Sequence, residues 1–190
     1  LGGSVVGIVG MTPAARPLAS LLDHFGARVV GYDPAVHAED PNWGRWGVEH
    51  QPLRQLMEEC DAVCVLLGYY SRYQGLLGER YLLACKPNQV LVSLAPSGVF
   101  DERALARVLG SRRMAAAWFD SMEPGTLDPG RPLSSVEALQ VTPCVASTTR
   151  ESRIRSAWAV ARRISDILRQ RTGSGDDDFS STTPGALAGL

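Results

Sequence analysis

The apolar run Val5–Val9 hands the chain to Gly10-Met11-Thr12-Pro13-Ala14-Ala15. A strand, a tight glycine turn and a helix in that order gather backbone N–H groups and a helix N-terminus at one point, which binds phosphate. In the G-x-G-x-x-G form of this turn each small residue has a mechanical task. The first glycine makes the turn, the second lets the backbone approach a pyrophosphate, and the third lets the helix lie close to the sheet. Gly10 supplies the first and Ala15 is small enough for the third. Thr12 holds the second place, where its side chain takes up room needed by a pyrophosphate. Two prolines disturb the start of the helix. Thr12 can cap a helix with Pro13 at its first position, but Pro17 then lacks the N–H owed to the Pro13 carbonyl. The alternatives are a distorted first turn or a helix that starts later, and both remove or move donors from the anion site.

Asp33 closes the next apolar run, about 20 residues on, where a carboxylate hydrogen-bonds ribose hydroxyls and repels a 2′-phosphate. This reading favours NAD(H) over its 2′-phosphorylated counterpart. The competing reading is a turn aspartate ahead of Pro34.

The elements that must position these residues alternate. Strands are expected over 4–9, 28–33, 62–67, 90–95, 114–120 and, briefly, 139–143. One helix carries Leu18, Leu21, Leu22 and Phe25 at helical spacing and stops at Gly26. Others are expected over 52–60 and over 101–111, with Asp101 as the capping residue, and a long one spans roughly 149–170. Residues 34–51 read as an irregular loop. The last helix shows an apolar stripe of Ile154, Trp158, Ala161, Ile164 and Leu168, and its arginine-rich faces read as solvated or packed on absent chain rather than as a nucleic-acid stripe. Strand and helix in alternation predict an α/β fold, a Rossmann-type doubly wound parallel sheet in three α/β/α layers. Ligands of such sheets bind at the carboxyl ends of the strands. A folded domain is expected over 1–170 and a disordered tail or linker over 171–190.

Composition fits a soluble globular chain: 190 residues, 45% hydrophobic, 21% charged, formal net charge −1. This balance gives no general attraction to nucleic acid or anionic membrane, and no apolar run is long enough to span a bilayer. Leu1 in place of Met makes the chain read as a fragment. Cys60, Cys64, Cys85 and Cys144 form no C-x-x-C pair and have no histidine at ligand spacing, so no metal site is expected. They read as buried reduced thiols, and the expected location is cytoplasmic or nuclear.

Beyond single motifs, the segments "VVGIVG", "FGARVVGYDP", "GLLGERYLLACKPNQVLVSLAPSGVFDERAL", "AAAWFDSMEP" and "VTPCVASTTRES" occur in an order that resembles the NAD-binding domain of the D-isomer-specific 2-hydroxyacid dehydrogenases. The resemblance implies an NAD(H) site formed by Gly10, Thr12, Pro13, Ala14, Asp33, Leu67, Ala95, Pro96 and Asp120, the last beside the nicotinamide carboxamide. It also implies a catalytic Arg, His and Glu. The Arg segment, like "VNTARGG" in the family, is here "VSLAPSG", placing Pro96 at the arginine position. The His segment "TPH" is here "TPC", placing Cys144 at the histidine position. Glu123 in "SMEP" stands before a proline as the family's glutamate does. Proline has neither charge nor donor, and a thiol lacks the second ring nitrogen that a glutamate orients.

The run "GIVGMTPAAR" looks most like C-terminal-binding-protein and ANGUSTIFOLIA-like members of the wider family. This implies a catalytically impaired regulatory or scaffold protein, a homodimer in its full-length form, with protein partners and NAD(H) bound weakly or lost. The alternative is an active NAD-dependent oxidoreductase of a 2-hydroxy or 2-keto acid with non-standard groups, using Cys144 or Arg72. Read singly, Cys144 is an inert thiol and Arg72 a solvated loop residue.

Overall fold

A computed structural model describes residues 1–68 and 70–172. The expected tail lies, from residue 173 onward, outside the described residues. Two compact units are distinguished, Leu1–Ala146 and Ser147–Leu190.

The first unit is built on seven strands: β1 (Val5–Val9), β2 (Arg28–Tyr32), β3 (Glu49–His50), β4 (Ala62–Val65), β5 (Gln89–Ser93), β6 (Met114–Phe119) and β7 (Leu139–Val141). They form one sheet in the order β3-β2-β1-β4-β5-β6-β7, with every neighbouring pair parallel. The chain steps outward from β1 through β2 to β3, then crosses back to lay β4 on the other side of β1. The strand order therefore reverses between β1 and β4, which is where ligands of open α/β sheets bind.

Helices pack on both faces, as a parallel sheet requires. On one face lie α1 (Ala15–His24) and α2 (Asn42–Trp46), over a core of Val6, Ile8, Ala15, Ala19, Leu22, Val29 and Trp43. On the other lie α3 (Leu53–Glu59), α4 (Glu79–Leu82) and α5 (Glu102–Gly110). Their larger core includes Leu56, Met57, Leu91, Leu105, Val108, Met114 and Phe119. Period-two alternation divides each strand between the two faces, so Val9 joins the second core while Val6 and Ile8 join the first. Gly7 allows α3 to approach β1: a Cβ there would lie 2.6 Å from Leu56 Cδ2 and 2.9 Å from Cys60 Sγ.

Gln89, fully buried at the start of β5, donates from Nε2 to the carbonyls of Met57 (2.9 Å) and Cys60 (2.8 Å). It thereby adds to the Lys86 N–H on the Met57 carbonyl (3.0 Å) and serves the Cys60 carbonyl, where α3 ends. Asp101 caps α5 as expected, with Oδ1 accepting the Ala104 N–H at 2.8 Å. Gly26 ends α1 in left-handed backbone (φ +74°).

Four expectations need correction. Residues 34–51 are not wholly irregular: Trp43, 5% exposed, anchors α2, and β3 adds a two-residue edge strand. Apolar content there is aromatic and brief, too short to show a period. In α1 the buried residues are Ala15, Ala19 and Leu22, with Leu18 packed beside them, while Leu21 and Phe25 are 54% and 58% exposed; two alanines and Leu22 define the face in contact with the sheet. Thr12 does not cap α1. The helix starts at Ala15, and Ala14 is already helical (φ −76°, ψ −22°) with no side-chain cap. The short helix α6 (Val145–Thr148) adds an element that the sequence pattern does not announce.

On the sheet face that α1 covers elsewhere, β5 and β6 carry exposed apolar side chains: Val90, Leu94 just beyond β5, and Trp118. The second unit contains α7 (Arg150–Thr172), the long helix expected at the C-terminal end. Its stripe residues Ile154, Trp158, Ile164 and Leu168 are about half exposed or more. Among the described residues no helix is long and apolar enough to cross a membrane.

Candidate dinucleotide site

At the switch point the chain leaves β1 through Gly10, at φ +99°. A Cβ on Gly10 would lie 2.8 Å from the Leu67 nitrogen and 3.0 Å from the Leu66 carbonyl carbon, so both the left-handed backbone and the space demand glycine. The Gly10 N–H donates to the Tyr32 carbonyl at 2.8 Å and the Leu66 N–H to the Val9 carbonyl at 2.8 Å, fixing the ends of β1, β2 and β4 to one another. Leu67 buries its side chain (4% exposed), so it reaches the crevice only through its backbone.

Asp33 serves both readings of its sequence. Its Oδ1 accepts the Ala35 N–H at 2.8 Å, an Asx turn ahead of the following loop. Its Oδ2 accepts the Met11 N–H at 2.7 Å, tying the glycine turn to the end of β2. A carboxylate offers about four acceptor positions, so this one retains capacity for ribose hydroxyls.

The start of α1 determines whether a pyrophosphate fits. Pro13 and Pro17 have no N–H, Met11 donates to Asp33, and the Ala15 N–H donates to the Thr12 carbonyl at 2.9 Å. No hydrogen bond among the described residues uses the amides of Thr12, Ala14 or Arg16. With Pro17 in the first turn, where N–H groups lack helical partners anyway, the helix is undistorted. The altered loop thus keeps three open amides at a helix N-terminus, a donor set suited to a pyrophosphate. Ala15, fully buried, packs α1 against the sheet as the third glycine of the motif would.

Beyond β5 the chain runs through Ala95 (1% exposed) and Pro96 into a 3₁₀ turn at Ser97–Val99. The Ser93 hydroxyl accepts the Ala95 N–H at 3.2 Å and sets this exit. The Gly75 N–H donates to the Gly98 carbonyl and the Leu77 N–H to the Val99 carbonyl, each at 2.9 Å, so the loops after β4 and β5 share a backbone ladder. Between them lies a cavity of about 160 Å³ lined by Gly68, Tyr70, Ser71, Gln74, Pro96, Gly98, Val99 and Glu123. Glu123 is held by its own N–H on the Ser97 hydroxyl at 3.1 Å, with Oε1 3.2 Å from where a Gly98 Cβ would be. The structure therefore brings Pro96 and Glu123 together. Sequence reasoning missed Ser97 and Gln74, whose surroundings depend on two loops far apart in the chain.

Cys144 lies after β7 in left-handed backbone (φ +55°) and lines neither this cavity nor the adjoining one that also includes Glu123. Its N–H donates to the Asp120 carbonyl at 2.6 Å. The Asp120 carboxylate accepts from the Thr142 hydroxyl (2.7 Å) and from the Val145 (2.9 Å) and Ala146 (3.0 Å) amides. Asp120 thus holds the Cys144 turn, an arrangement that occupies it with structure at the position expected beside the nicotinamide.

The thiols are not all buried: Cys60 and Cys85 are, while Cys64 and Cys144 are half-buried. Burial pushes the Cys60 thiol up to about 12, with Glu59 and Asp61 adding to the shift, and the Cys64 thiol up to about 11. Cys85 is raised for the same reason. These three are poor nucleophiles near neutral pH. Among the described residues no cluster of three or more His, Cys, Asp or Glu is placed to hold a metal ion.

A doubly wound sheet with a glycine turn, a ribose-side acid and open helix amides at its switch point defines a dinucleotide-binding domain of the Rossmann class. Comparison makes the family specific: the profile described as "D-isomer specific 2-hydroxyacid dehydrogenase, NAD binding domain" matches residues 1–146, and the chain belongs to that family. It is 34% identical over 170 residues to the (S)-sulfolactate dehydrogenase of Chromohalobacter salexigens, covering 89% of this chain and 54% of that protein. It is 30% identical over 177 residues to the D-3-phosphoglycerate dehydrogenase of Sus scrofa, covering 92% of this chain and 32% of that protein. The chain thus spans about half or less of these relatives. In fold it resembles an acyclic imino acid reductase solved with NADPH and D-Arg, at TM-score 0.75 and 21% identity, covering 89% of this chain and 52% of the other.

Proposed function

We propose that this NAD-binding domain serves a dehydrogenase-like protein whose cofactor crevice is retained and whose ordinary hydride-transfer chemistry is impaired. The observation that carries the reading is the wall beyond β5. Pro96 stands beside Glu123 where the family resemblance calls for a substrate-binding guanidinium. A bidentate Arg–carboxylate pair both positions and polarises a 2-keto acid, and proline does neither. Cys144 replaces the proton-transferring imidazole, and it is fastened by backbone and by Asp120 rather than oriented by Glu123. Losing one transition-state contact of this kind costs about 2.7–4 kcal/mol, or 10²–10³ in rate. The protein then acts as a regulatory or scaffold homologue of the C-terminal-binding-protein type, dimeric in full length, with NAD(H) as a bound structural or sensing ligand.

What the chain's own residues do is bind and orient. NAD(H), when bound, supplies the hydride chemistry. The amides of Thr12, Ala14 and Arg16 would hold its pyrophosphate, and Asp33 would accept from its ribose hydroxyls. Calorimetric titration with NADH tests the first half: low-micromolar binding, weakened by Asp33→Ala, is expected, and no binding at millimolar NADH overturns it. Turnover of 2-keto acids by the full-length protein tests the second half: a rate about 10⁴-fold below ordinary enzymes is expected for two lost contacts, and an ordinary rate overturns it.

The second reading, an active oxidoreductase with non-standard groups, draws on relatives named as dehydrogenases and on the half-buried Cys144. It predicts NADH-dependent turnover that Cys144→Ser abolishes.

A further inference from the structure

Where α5 begins, a second cavity adjoins the one at Pro96. It measures about 340 Å³ and lies between the exit of β5, the first turns of α5 and the loop that follows β6. Its floor is apolar: Phe100 and Phe119 meet edge to face at 4.9 Å, with Leu105, Met122 and Leu133 around them. Its rim holds three charged groups. Glu102 pairs with Arg131 through Oε2, and Arg131 is the one cation among the described lining residues. Glu123 is the third. Its N–H donates to the Ser97 hydroxyl and its carbonyl accepts the Thr126 hydroxyl at 2.8 Å, which fixes its backbone. Its carboxylate enters no ion pair among the described residues.

Glu102 is the unusual member of the rim. Its side chain is 22% exposed, yet Oε1 is fully buried and meets no donor among the described residues. A buried carboxylate oxygen without a donor is costly, so this one calls for a partner. Water brings donors, but a buried water needs roughly two to four polar partners and the phenyl floor offers it none. An ammonium carried on an apolar body answers both halves of the cavity. Its three N–H groups serve Glu102 Oε1 and the Glu123 carboxylate, and its body covers the floor. Two carboxylates against one guanidinium also leave the rim negative, which attracts a cation and repels a carboxylate or phosphate.

We propose that this cavity is a binding site for a primary amine with an aryl or alkyl tail, held by Glu102 and Glu123 over the Phe100–Phe119 floor. The site is separate from the dinucleotide crevice: its lining includes no residue of the glycine turn, of the start of α1 or of the Asp33 turn. Its charge also selects against the 2-keto acids that the family resemblance implies, so its ligand is of a different class from that substrate.

Calorimetric titration of the full chain with 2-phenylethylamine tests the proposal. The anion 3-phenylpropionate and the neutral 2-phenylethanol serve as probes of like shape, and melting temperature is the folding control. The expected result is a dissociation constant of about 1 mM or tighter for the amine, with both other probes weaker by about tenfold or more. Glu102→Gln removes the charge and keeps the shape, and it is expected to weaken the amine about tenfold. Met122→Trp adds bulk to the floor and leaves both carboxylates in place, and it is expected to abolish binding. No binding of the amine by the folded chain at about 10 mM overturns the proposal. Equal binding of the three probes overturns it as well, since the floor alone then holds them. Unchanged amine affinity in Glu102→Gln places the amine elsewhere and overturns the assignment. If that variant does not fold once Arg131 loses its partner, Met122→Trp decides the matter by the same criterion.

Discussion

At the scale of single residues the site depends on positions that accept no substitute. Gly10→Ala adds a Cβ 2.8 Å from backbone nitrogen in left-handed geometry. It is expected to cost about 1–3 kcal/mol of stability in urea unfolding and to abolish NADH binding, since the loop cannot keep its course. The buried thiols set the alkaline limit. Their folded pKa values are raised above the unfolded value of about 9, so the unfolded chain loses protons first as pH rises. Stability from this source is complete below pH 9 and falls through the window from 9 to about 11 for Cys64 and about 12 for Cys60. A melting temperature flat up to about pH 9 and declining beyond it is expected, with a shallower decline in Cys64→Ala. An identical decline in that variant would assign the slope to other groups.

At the scale of elements, two side chains replace missing backbone partners. Gln89→Leu removes one of two donors from the Met57 carbonyl, which keeps the Lys86 N–H, and the side-chain donor from the Cys60 carbonyl, and is expected to destabilise by about 1–3 kcal/mol. Asp101→Ala removes the α5 cap, with about 0.5–2 kcal/mol expected from the same unfolding curves. Elements were also what the sequence showed best. Compact apolar runs gave all six longer strands within a residue or two, because strands buried on both faces need them. The glycine turn, Asp33 and the Asp101 cap were likewise legible, since each acts on neighbours close in the chain. Pro96 and Glu123 were legible through the family resemblance, but Ser97 and Gln74 beside them were not, because that wall exists only once two distant loops pair. The α2–β3 stretch escaped because Trp43 stabilises it by burial rather than by period. Leu21 and Phe25 misled because helical spacing alone does not say which stripe faces a sheet closely packed through alanines.

At the scale of the whole molecule, Val90, Leu94 and Trp118 leave an apolar area on one sheet face. Patches of this kind bind hydrophobic dyes and promote association. Trp118→Ser combined with Leu94→Ser is expected to lower dye binding severalfold and shift the melting temperature by less than that of Gln89→Leu. Unchanged dye binding would assign the signal elsewhere. Asp33 has a different kind of reach. One carboxylate joins the turn after β1 to the end of β2 and is also the acceptor proposed for the ribose, so on that proposal cofactor preference and loop architecture share a single side chain. An engineer who exchanges Asp33 to change the preferred coenzyme also cuts the tether of Met11 and must rebuild it elsewhere.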